Sequence, residues 1–175
     1  MKLQILRTLN ALMAMVFVGI IMGAFFEEFT KRELPCPLCY LERLGMVTVA
    51  IGALMNLRFG IKTSHYALSL LGAIFGGGVA LRQICFHICP GFPRFGYPVF
   101  GLNLYTWAFL SFATATFAIT LLLLFHKKED EKRIPLNWFD TMAFVLVYIL
   151  VISNIFAIVH QCGITICPDP SFPQT

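Results

Sequence analysis

The sequence predicts an all-α integral membrane protein, a single membrane domain that covers residues 1–175. Hydrophobic residues make up 58% of the chain and charged residues only 13%, whereas about 25% of a typical soluble domain is charged. The mean hydropathy is +0.79. The apolar residues fall into five runs, each near the ~20 residues that a helix needs to cross ~30 Å of hydrocarbon. The chain is therefore predicted to lie in a bilayer as a set of membrane helices.

The five runs predict the helices in chain order, at residues 9–26, 41–57, 66–84, 104–125 and 138–159. The first follows a weakly basic lead, Lys2 and Arg7, but its apolar core is longer than a usual signal segment. We therefore expect a membrane helix there and not a signal peptide. The third run contains the glycine-rich patch 72–78. Because close backbone packing tolerates glycine in membrane helices, we interpret this patch as a helix contact.

Lysine and arginine are divided unevenly between the polar segments, and this division predicts the orientation. The segments 1–8, 58–65 and 126–133 lie on one side and hold eight of the 13 lysines and arginines. The positive-inside rule makes this side cytoplasmic. The opposite side is then the outer face of the membrane.

All six cysteines fall on the predicted outer side. The outer segments are the loops 27–40 and 85–103 and the tail 161–175. In turn, these segments hold Cys36 and Cys39, Cys85 and Cys89, and Cys162 and Cys167. Disulfides persist in the periplasm and its equivalents but not in the cytosol. The one-sided distribution therefore indicates redox chemistry or disulfide stapling on the outer face.

The stretch CPLCYLER, residues 36–43, places a C-x-x-C pair at the start of the second run. Pro37 suits a first helical turn, so we expect the helix to begin inside the pair. Cys36 and Cys39 would then sit at a helix N-terminus. The partial positive charge there favours the thiolate, which is the form that attacks a disulfide or an electron acceptor.

Arg43 lies four residues after Cys39, on the same helix face and just inside the predicted membrane surface. A cation at that depth is costly and therefore indicates a function. We expect its guanidinium to stabilise the Cys39 thiolate and to donate hydrogen bonds to a carbonyl group of a lipophilic acceptor. The alternative is that Arg43 extends to the lipid headgroups and pairs with Glu42.

Three segments of the chain resemble the disulfide-bond-formation protein B (DsbB) family. They are CPLCYLER, the stretch LRQICFHICPGFPRFGYPVFGLNLYTWAF at 81–109 and QCGITICPDP at 161–170, and they are similar to a short-loop branch with a cysteine-containing C-terminal tail. The resemblance implies a four-helix transmembrane bundle around a bound quinone. The run at 138–159 would be an additional C-terminal transmembrane helix.

The resemblance also implies an activity and a location. Members of the family reoxidise a periplasmic DsbA-like thioredoxin-fold oxidase and pass the electrons to ubiquinone or menaquinone. The protein would lie in the bacterial inner membrane, with its redox cysteines on the periplasmic face and lipid around it. Carried over to this sequence, Cys36 and Cys39 would be the quinone-proximal redox pair and Arg43 the residue that contacts the quinone. Arg82 and Gln83 would line the same pocket.

The second cysteine pair departs from the family pattern, which has two widely spaced cysteines in one long outer loop. Here the loop 86–103 is short and holds only Cys89. The tail is rich in glycine and proline and free to fold back, so we favour a Cys162–Cys167 disulfide as the catalytic exchange partner. Cys85 and Cys89 are four residues apart, too far on a helix for a disulfide. The alternatives are a crosslink from either of these two cysteines to the tail, or both as buried free thiols.

Other functions remain open at the level of sequence. The segments CFHIC and HQCGITIC bring soft ligands to one face and would suit copper or zinc in a metal-binding membrane protein. Their spacing matches no closed four-ligand site, so no metal ligands are assigned. A non-enzymatic protein with stapled outer loops is a further reading, and a quinone reductase like the vitamin K epoxide reductase family is a related one. The sequence carries no nucleic-acid-binding signature.

Overall fold

The computed structural model describes residues 2–31, 35–88, 98–125 and 135–163. Within these ranges the chain forms five helices. They are α1 (Lys2–Lys31), α2 (Pro37–Phe59), α3 (Thr63–Ile88), α4 (Leu104–Phe125) and α5 (Trp138–Cys162). All five are long and apolar enough to cross a membrane. The predicted class is confirmed: the protein is an all-α, multi-pass membrane protein.

Most of the helices extend beyond the apolar runs that predict them. Helix α1 continues past residue 26 through Glu27 and Glu28 to Lys31, and α3 continues past residue 84 to Ile88. Hydropathy marks only the part of a helix that matches the hydrocarbon, whereas backbone hydrogen bonding continues through polar turns at the membrane surface. The extra turns carry polar side chains to one end of the bundle.

Small residues bring α2 and α3 close together. A Cβ atom added at Gly45 would lie 2.8 Å from the Cα atom of Gly76 and 3.0 Å from the carbonyl oxygen of Gly72. Further along the same interface, the hydroxyl of Ser69 donates a hydrogen bond of 3.0 Å to the carbonyl oxygen of Val49. The glycine patch of α3 is therefore a helix contact, as predicted, because only glycine permits this backbone approach.

Helix α5 packs against α1 and α2 and is anchored at both of its ends. At its start, Asp140 accepts a hydrogen bond of 2.6 Å from Arg7 of α1. At its other end, Gln161 donates a hydrogen bond of 3.0 Å to the carbonyl oxygen of Pro35. The fifth helix thereby brings Cys162 to the same end of the bundle as the C-x-x-C pair.

We call this end, which holds Cys36, Cys39, Cys85 and Cys162, the cysteine end. The other end, which holds Arg7, is the opposite end. Cys89 and Cys167 lie outside the described residues.

Candidate functional site

The C-x-x-C pair forms the N-terminus of α2, as the sequence predicts. Pro37 occupies the first turn, and Cys36 is the N-cap residue in an extended conformation. The backbone N–H of Cys39 donates to the Cys36 sulfur at 3.2 Å and to the Cys36 carbonyl oxygen at 2.9 Å. Both cysteines are free thiols in this structure. The start of α2 thus places a backbone N–H donor next to the sulfur of Cys36. The Cys36 residue is 6% exposed.

The electrostatic environment favours ionisation of Cys36. A hydrogen bond from the Cys39 side chain lowers the pKa of the Cys36 thiol below its usual value, and backbone N–H groups act in the same direction. Burial raises that pKa, but by less than these hydrogen bonds lower it. Within the reduced pair, Cys36 is therefore the thiol that the helix start prepares as a thiolate.

Gln83 of α3 spans the two sulfurs. Its amide nitrogen lies 3.4 Å from the sulfur of Cys36 and 3.8 Å from the sulfur of Cys39. The side chain is 3% exposed, and its Oε1 atom has no hydrogen-bond partner among the described residues. The family resemblance predicted that Gln83 lies in the pocket beside the C-x-x-C pair. In the structure its amide contacts both sulfurs.

A cavity of about 320 Å³ opens beside the pair. Helices α1, α2, α3 and α4 all contribute to its wall, which is mostly apolar. The polar and charged groups in the wall come from Glu27, Glu28, Lys31, Cys39, Glu42, Arg43, Gln83 and Tyr105. An apolar cavity with a few convergent polar groups is the usual form of a small-molecule site.

Arg43 lies in this wall and is 5% exposed. Its guanidinium forms an ion pair with Glu28 of α1, in which both nitrogens donate to the carboxylate. The same guanidinium lies over the ring of Phe25, 4.5 Å from its centroid. The alternative in which Arg43 extends to the headgroups and pairs with Glu42 is therefore wrong. A partner fifteen residues earlier in the chain holds it inside the bundle.

Glu42 is a cavity residue that the sequence did not predict as part of the site. It is 6% exposed, and its buried Oε1 atom has no hydrogen-bond partner among the described residues. It lines the cavity one turn after Cys39. Ionisable side chains within membrane helices are rare enough to be a functional signal by themselves. This rule, applied to the second apolar run, would have found Glu42.

The end of α5 is tied to the C-x-x-C segment through Gln161. The hydroxyl of Tyr40 donates to Gln161, which in turn donates to the carbonyl oxygen of Pro35. The next residue, Cys162, is disulfide-bonded. Its favoured partner, Cys167, lies outside the described residues, so the Cys162–Cys167 pairing stays a prediction.

Two polar residues from the same stretch of α3 point away from the cavity. Arg82 is exposed and lies over the ring of Phe86, 5.3 Å from its centroid. Cys85 is an exposed free thiol, so the interpretation of this cysteine as a buried one is wrong. The structure brings Cys39, Arg43 and Gln83 together in the cavity wall, with Cys36 next to Gln83, but does not bring Arg82 to the cavity.

The metal-binding alternative would need several soft ligands close together on the same face. Among the described residues, no group of three or more His, Cys, Asp or Glu side chains is arranged to hold a metal ion. Cys89 and Cys167, two of the ligands in that alternative, lie outside the described ranges.

Fold and site together define a multi-pass helical membrane protein with a C-x-x-C pair beside a cavity between its helices. The family model described as "Disulfide bond formation protein DsbB" matches residues 6–93. This match contains α2, the C-x-x-C pair, Arg43 and Gln83. The chain belongs to the DsbB family.

Similar proteins carry the same name. "Disulfide bond formation protein B" of Burkholderia pseudomallei is 37% identical over 90 residues, which is 49% of this chain and 53% of that protein. The protein of that name in Burkholderia thailandensis is 29% identical over 156 residues, 69% of this chain and 91% of that protein. The chain therefore spans only about half the length of the relatives that it matches at 37% identity. No solved structure matches the chain.

Proposed function

We propose that this protein is a thiol:quinone oxidoreductase that reoxidises a DsbA-like thioredoxin-fold oxidase and passes the electrons to ubiquinone or menaquinone. In this proposal it lies in the bacterial inner membrane, with the cysteine end on the periplasmic face. Family membership supports a role in disulfide bond formation. The observation that carries the proposal is the position of the C-x-x-C pair beside a membrane-embedded cavity that also contains the buried Arg43.

The residues around the cavity fit a quinone head group. The volume of about 320 Å³ falls at the lower end of the range of about 300–1,000 Å³ for ligand pockets. Arg43 has five N–H donors, of which Glu28 occupies only part, and Gln83 supplies an amide. These donors suit the two carbonyl groups of a quinone, while Met46 and Ala108 supply apolar wall. When bound, a quinone accepts two electrons and two protons.

The cysteines would act by two successive thiol–disulfide exchanges. A thiolate of the reduced partner attacks the disulfide of Cys162, and a mixed disulfide forms. The second partner thiol resolves it, so that the partner leaves oxidised and the tail pair is reduced. A thiolate of the tail pair then attacks the Cys36–Cys39 disulfide in the same way. The C-x-x-C dithiol finally gives up two electrons and two protons and closes again as a disulfide.

The contacts of Gln161 support this route. They hold the residue next to Cys162 against Pro35, which precedes Cys36. An intramolecular exchange gains from such proximity because the two cysteine pairs do not need to find each other by diffusion. A DsbA-type partner has a reduction potential of about −120 mV, so its reoxidation needs an acceptor stronger than a thiol pool. The cavity beside Cys39 would bind this electron acceptor.

The test is the loss of quinone absorbance in the detergent-solubilised full chain, with a reduced thioredoxin-fold oxidase as electron donor. We expect oxidase-dependent loss of absorbance with the unmodified chain. Cys162→Ser should stop turnover with the protein donor but retain quinone reduction when dithiothreitol reduces the C-x-x-C pair directly. Folded protein that bleaches neither ubiquinone nor menaquinone with either donor would refute the proposal.

A further inference from the structure

We propose that Glu42 is a proton carrier between Cys39 and the quinone: its neutral carboxyl group gives a proton to a quinone oxygen and takes the proton of the Cys39 thiol. This inference rests on the proposed function and adds the path of the proton to it. It is carried by the position of Glu42 in the cavity wall, by its burial and by its Oε1 atom, which has no hydrogen-bond partner in the described part of the chain.

The position of Glu42 connects the redox pair to the cavity. Glu42 follows Cys39 by three residues on α2, a spacing that puts the two side chains on neighbouring parts of one helix face. Both residues line the same cavity. Glu42 therefore stands where it can reach both the thiol that is oxidised and a molecule bound beside it.

The surroundings of Glu42 favour the neutral acid. The residue is 6% exposed, and its buried Oε1 atom has no hydrogen-bond partner among the described residues. An ionised carboxylate without a partner is costly to bury in the membrane interior. The neighbouring cation offsets only part of this cost, because the guanidinium of Arg43 forms its ion pair with Glu28.

The two carboxyl groups of the cavity thus have different environments. Glu28 forms an ion pair with Arg43, whereas Glu42 forms no ion pair within the described part of the chain and has a buried oxygen atom without a hydrogen bond there. Two acids whose environments differ in this way are a recurring sign that one of them transfers protons. The groups of the cavity wall that carry or exchange charge near Glu42 are Cys39 and Arg43 on α2, Glu27, Glu28 and Lys31 on α1, and Tyr105 on α4. Helix α3 contributes Gln83 to this wall, and its amide does not titrate.

The chemistry requires such a carrier because electrons and protons must arrive together. Formation of the Cys36–Cys39 disulfide removes two electrons and two protons from the dithiol, and the quinone gains the same number to become a quinol. Glu42 gives one proton to the quinone oxygen and is reprotonated by Cys39, so it ends the step unchanged. Cys36 releases its proton to water when it forms a thiolate, and the quinol takes its second proton from water. The sum is one dithiol oxidised and one quinone reduced.

The first experiment measures the protonation of Glu42 without any turnover. Infrared difference spectra are recorded between the reduced and oxidised forms of the full chain in detergent, with no quinone added. We expect a C=O band of a protonated carboxyl group that shifts when the C-x-x-C pair changes its redox state. Glu42→Gln should remove this band, and Glu27→Gln, which removes another carboxyl group from the cavity wall, should retain it. A wild-type spectrum without such a band would overturn the proposal.

The second experiment separates proton transfer from binding. With dithiothreitol as donor and a short-chain ubiquinone as acceptor, Glu42→Gln should lower kcat about 100-fold and change the quinone KM by less than about threefold. Glu42→Asp, which keeps the acid, should recover part of the kcat. Cys85→Ser, which changes an exposed side chain outside the cavity wall, should behave like the wild type. A kcat within about twofold of the wild type, or a loss found entirely in KM, would contradict the role.

These experiments distinguish the failure of this inference from the failure of the proposed function. If the wild-type chain reduces no quinone, the proposed function is refuted, and the infrared band still decides whether Glu42 carries a proton. If Glu42→Gln does not fold, the wild-type spectrum and the Glu42→Asp kinetics still test the carrier.

Discussion

At the opposite end of the bundle, buried polar groups are bonded to one another. Arg7 and Asp140 form an ion pair of 2.6 Å between α1 and α5, and Asp140 also accepts from the backbone of Asn137. Asn10 donates to the hydroxyl of Tyr66 at 2.8 Å and accepts from Asn56 at 2.9 Å. These bonds join α1, α2, α3 and α5.

At the cysteine end of the described helices, several buried polar atoms have no hydrogen-bond partner. Among the described residues, the buried side-chain atoms without a hydrogen bond belong to Glu42, Gln83, His87 and Asn154. All four residues lie in the half of the bundle that contains the cysteines, and Glu42 and Gln83 line the cavity.

The difference separates a structural network from a binding site. A buried polar network that is fully bonded holds helices in register, whereas an unbonded buried group is costly and needs a reason. A ligand whose oxygen atoms form hydrogen bonds with these groups in the cavity would be such a reason. The two ends should therefore respond differently to mutation: loss of a group at the opposite end should affect stability, and loss of one at the cysteine end should affect chemistry.

The largest effect is expected from the redox pair. Cys39→Ser should lower dithiothreitol-driven quinone reduction by about a thousandfold or more, because a C-x-x-C disulfide can no longer form. The rate is followed by quinone absorbance. Cys85→Ser is the matched control at the same end, since it removes an exposed free thiol, and it should keep the wild-type rate. Equal losses in both variants would show that general thiol chemistry, and not the pair, reduces the quinone.

The opposite end should show the largest effect on stability. Asp140→Ala leaves Arg7 buried without its ion-pair partner and removes the hydrogen bond from the Asn137 backbone to the Asp140 carboxylate at the start of α5. The free energy of unfolding should therefore fall by about 3 kcal/mol. Thermal unfolding in detergent measures this loss. The double variant Arg7→Leu with Asp140→Leu should recover much of it, because no unpaired charge remains. Protein that stays folded should reduce quinone at the wild-type rate, and a changed quinone KM would break the comparison between the ends.

Arg43 tests the ion pair at the cysteine end. Arg43→Ala should raise the quinone KM about tenfold, equivalent to about 1.4 kcal/mol of binding, because a charge-assisted donor is lost from the cavity. Arg43→Lys keeps the charge but not the planar fork of donors. Its quinone KM should lie between those of the wild type and Arg43→Ala. Steady-state kinetics with a short-chain ubiquinone provide the measurement. Unchanged quinone kinetics in Arg43→Ala would exclude Arg43 from the binding site.

The smallest effect concerns the pH response of Cys36. Its pKa is lowered by the hydrogen bond from Cys39, so its thiolate persists to lower pH than that of an ordinary cysteine. In the reduced protein, the alkylation rate of Cys36 should therefore reach half of its maximum at a lower pH than in Cys39→Ala. Mass spectrometry of the Cys36 peptide measures the rate. A midpoint that does not rise in the variant would show that Cys39 does not stabilise the thiolate.

Local features of the chain were predictable from sequence. Apolar runs of membrane-spanning length predicted five helices because a bilayer leaves the backbone few other ways to bond its polar groups. Pro37 predicted the start of α2 because its fixed dihedral angle and missing N–H suit a first turn. The glycine patch predicted the contact between α2 and α3. Each of these inferences depends on residues that are neighbours in the chain.

The partners of the site residues were decided only by tertiary structure. Arg43 meets Glu28 and not its neighbour Glu42, and Gln83 reaches the cysteine pair while the adjacent Arg82 faces outward. Successive residues of a helix differ by about 100° in direction, so helix rotation and crossing determine which of two neighbours enters a cavity. The sequence alone established the membrane helices and the C-x-x-C pair. Helix packing, which hydropathy does not specify, placed Glu42 in the cavity wall, where its Oε1 atom has no hydrogen-bond partner among the residues that the structure describes.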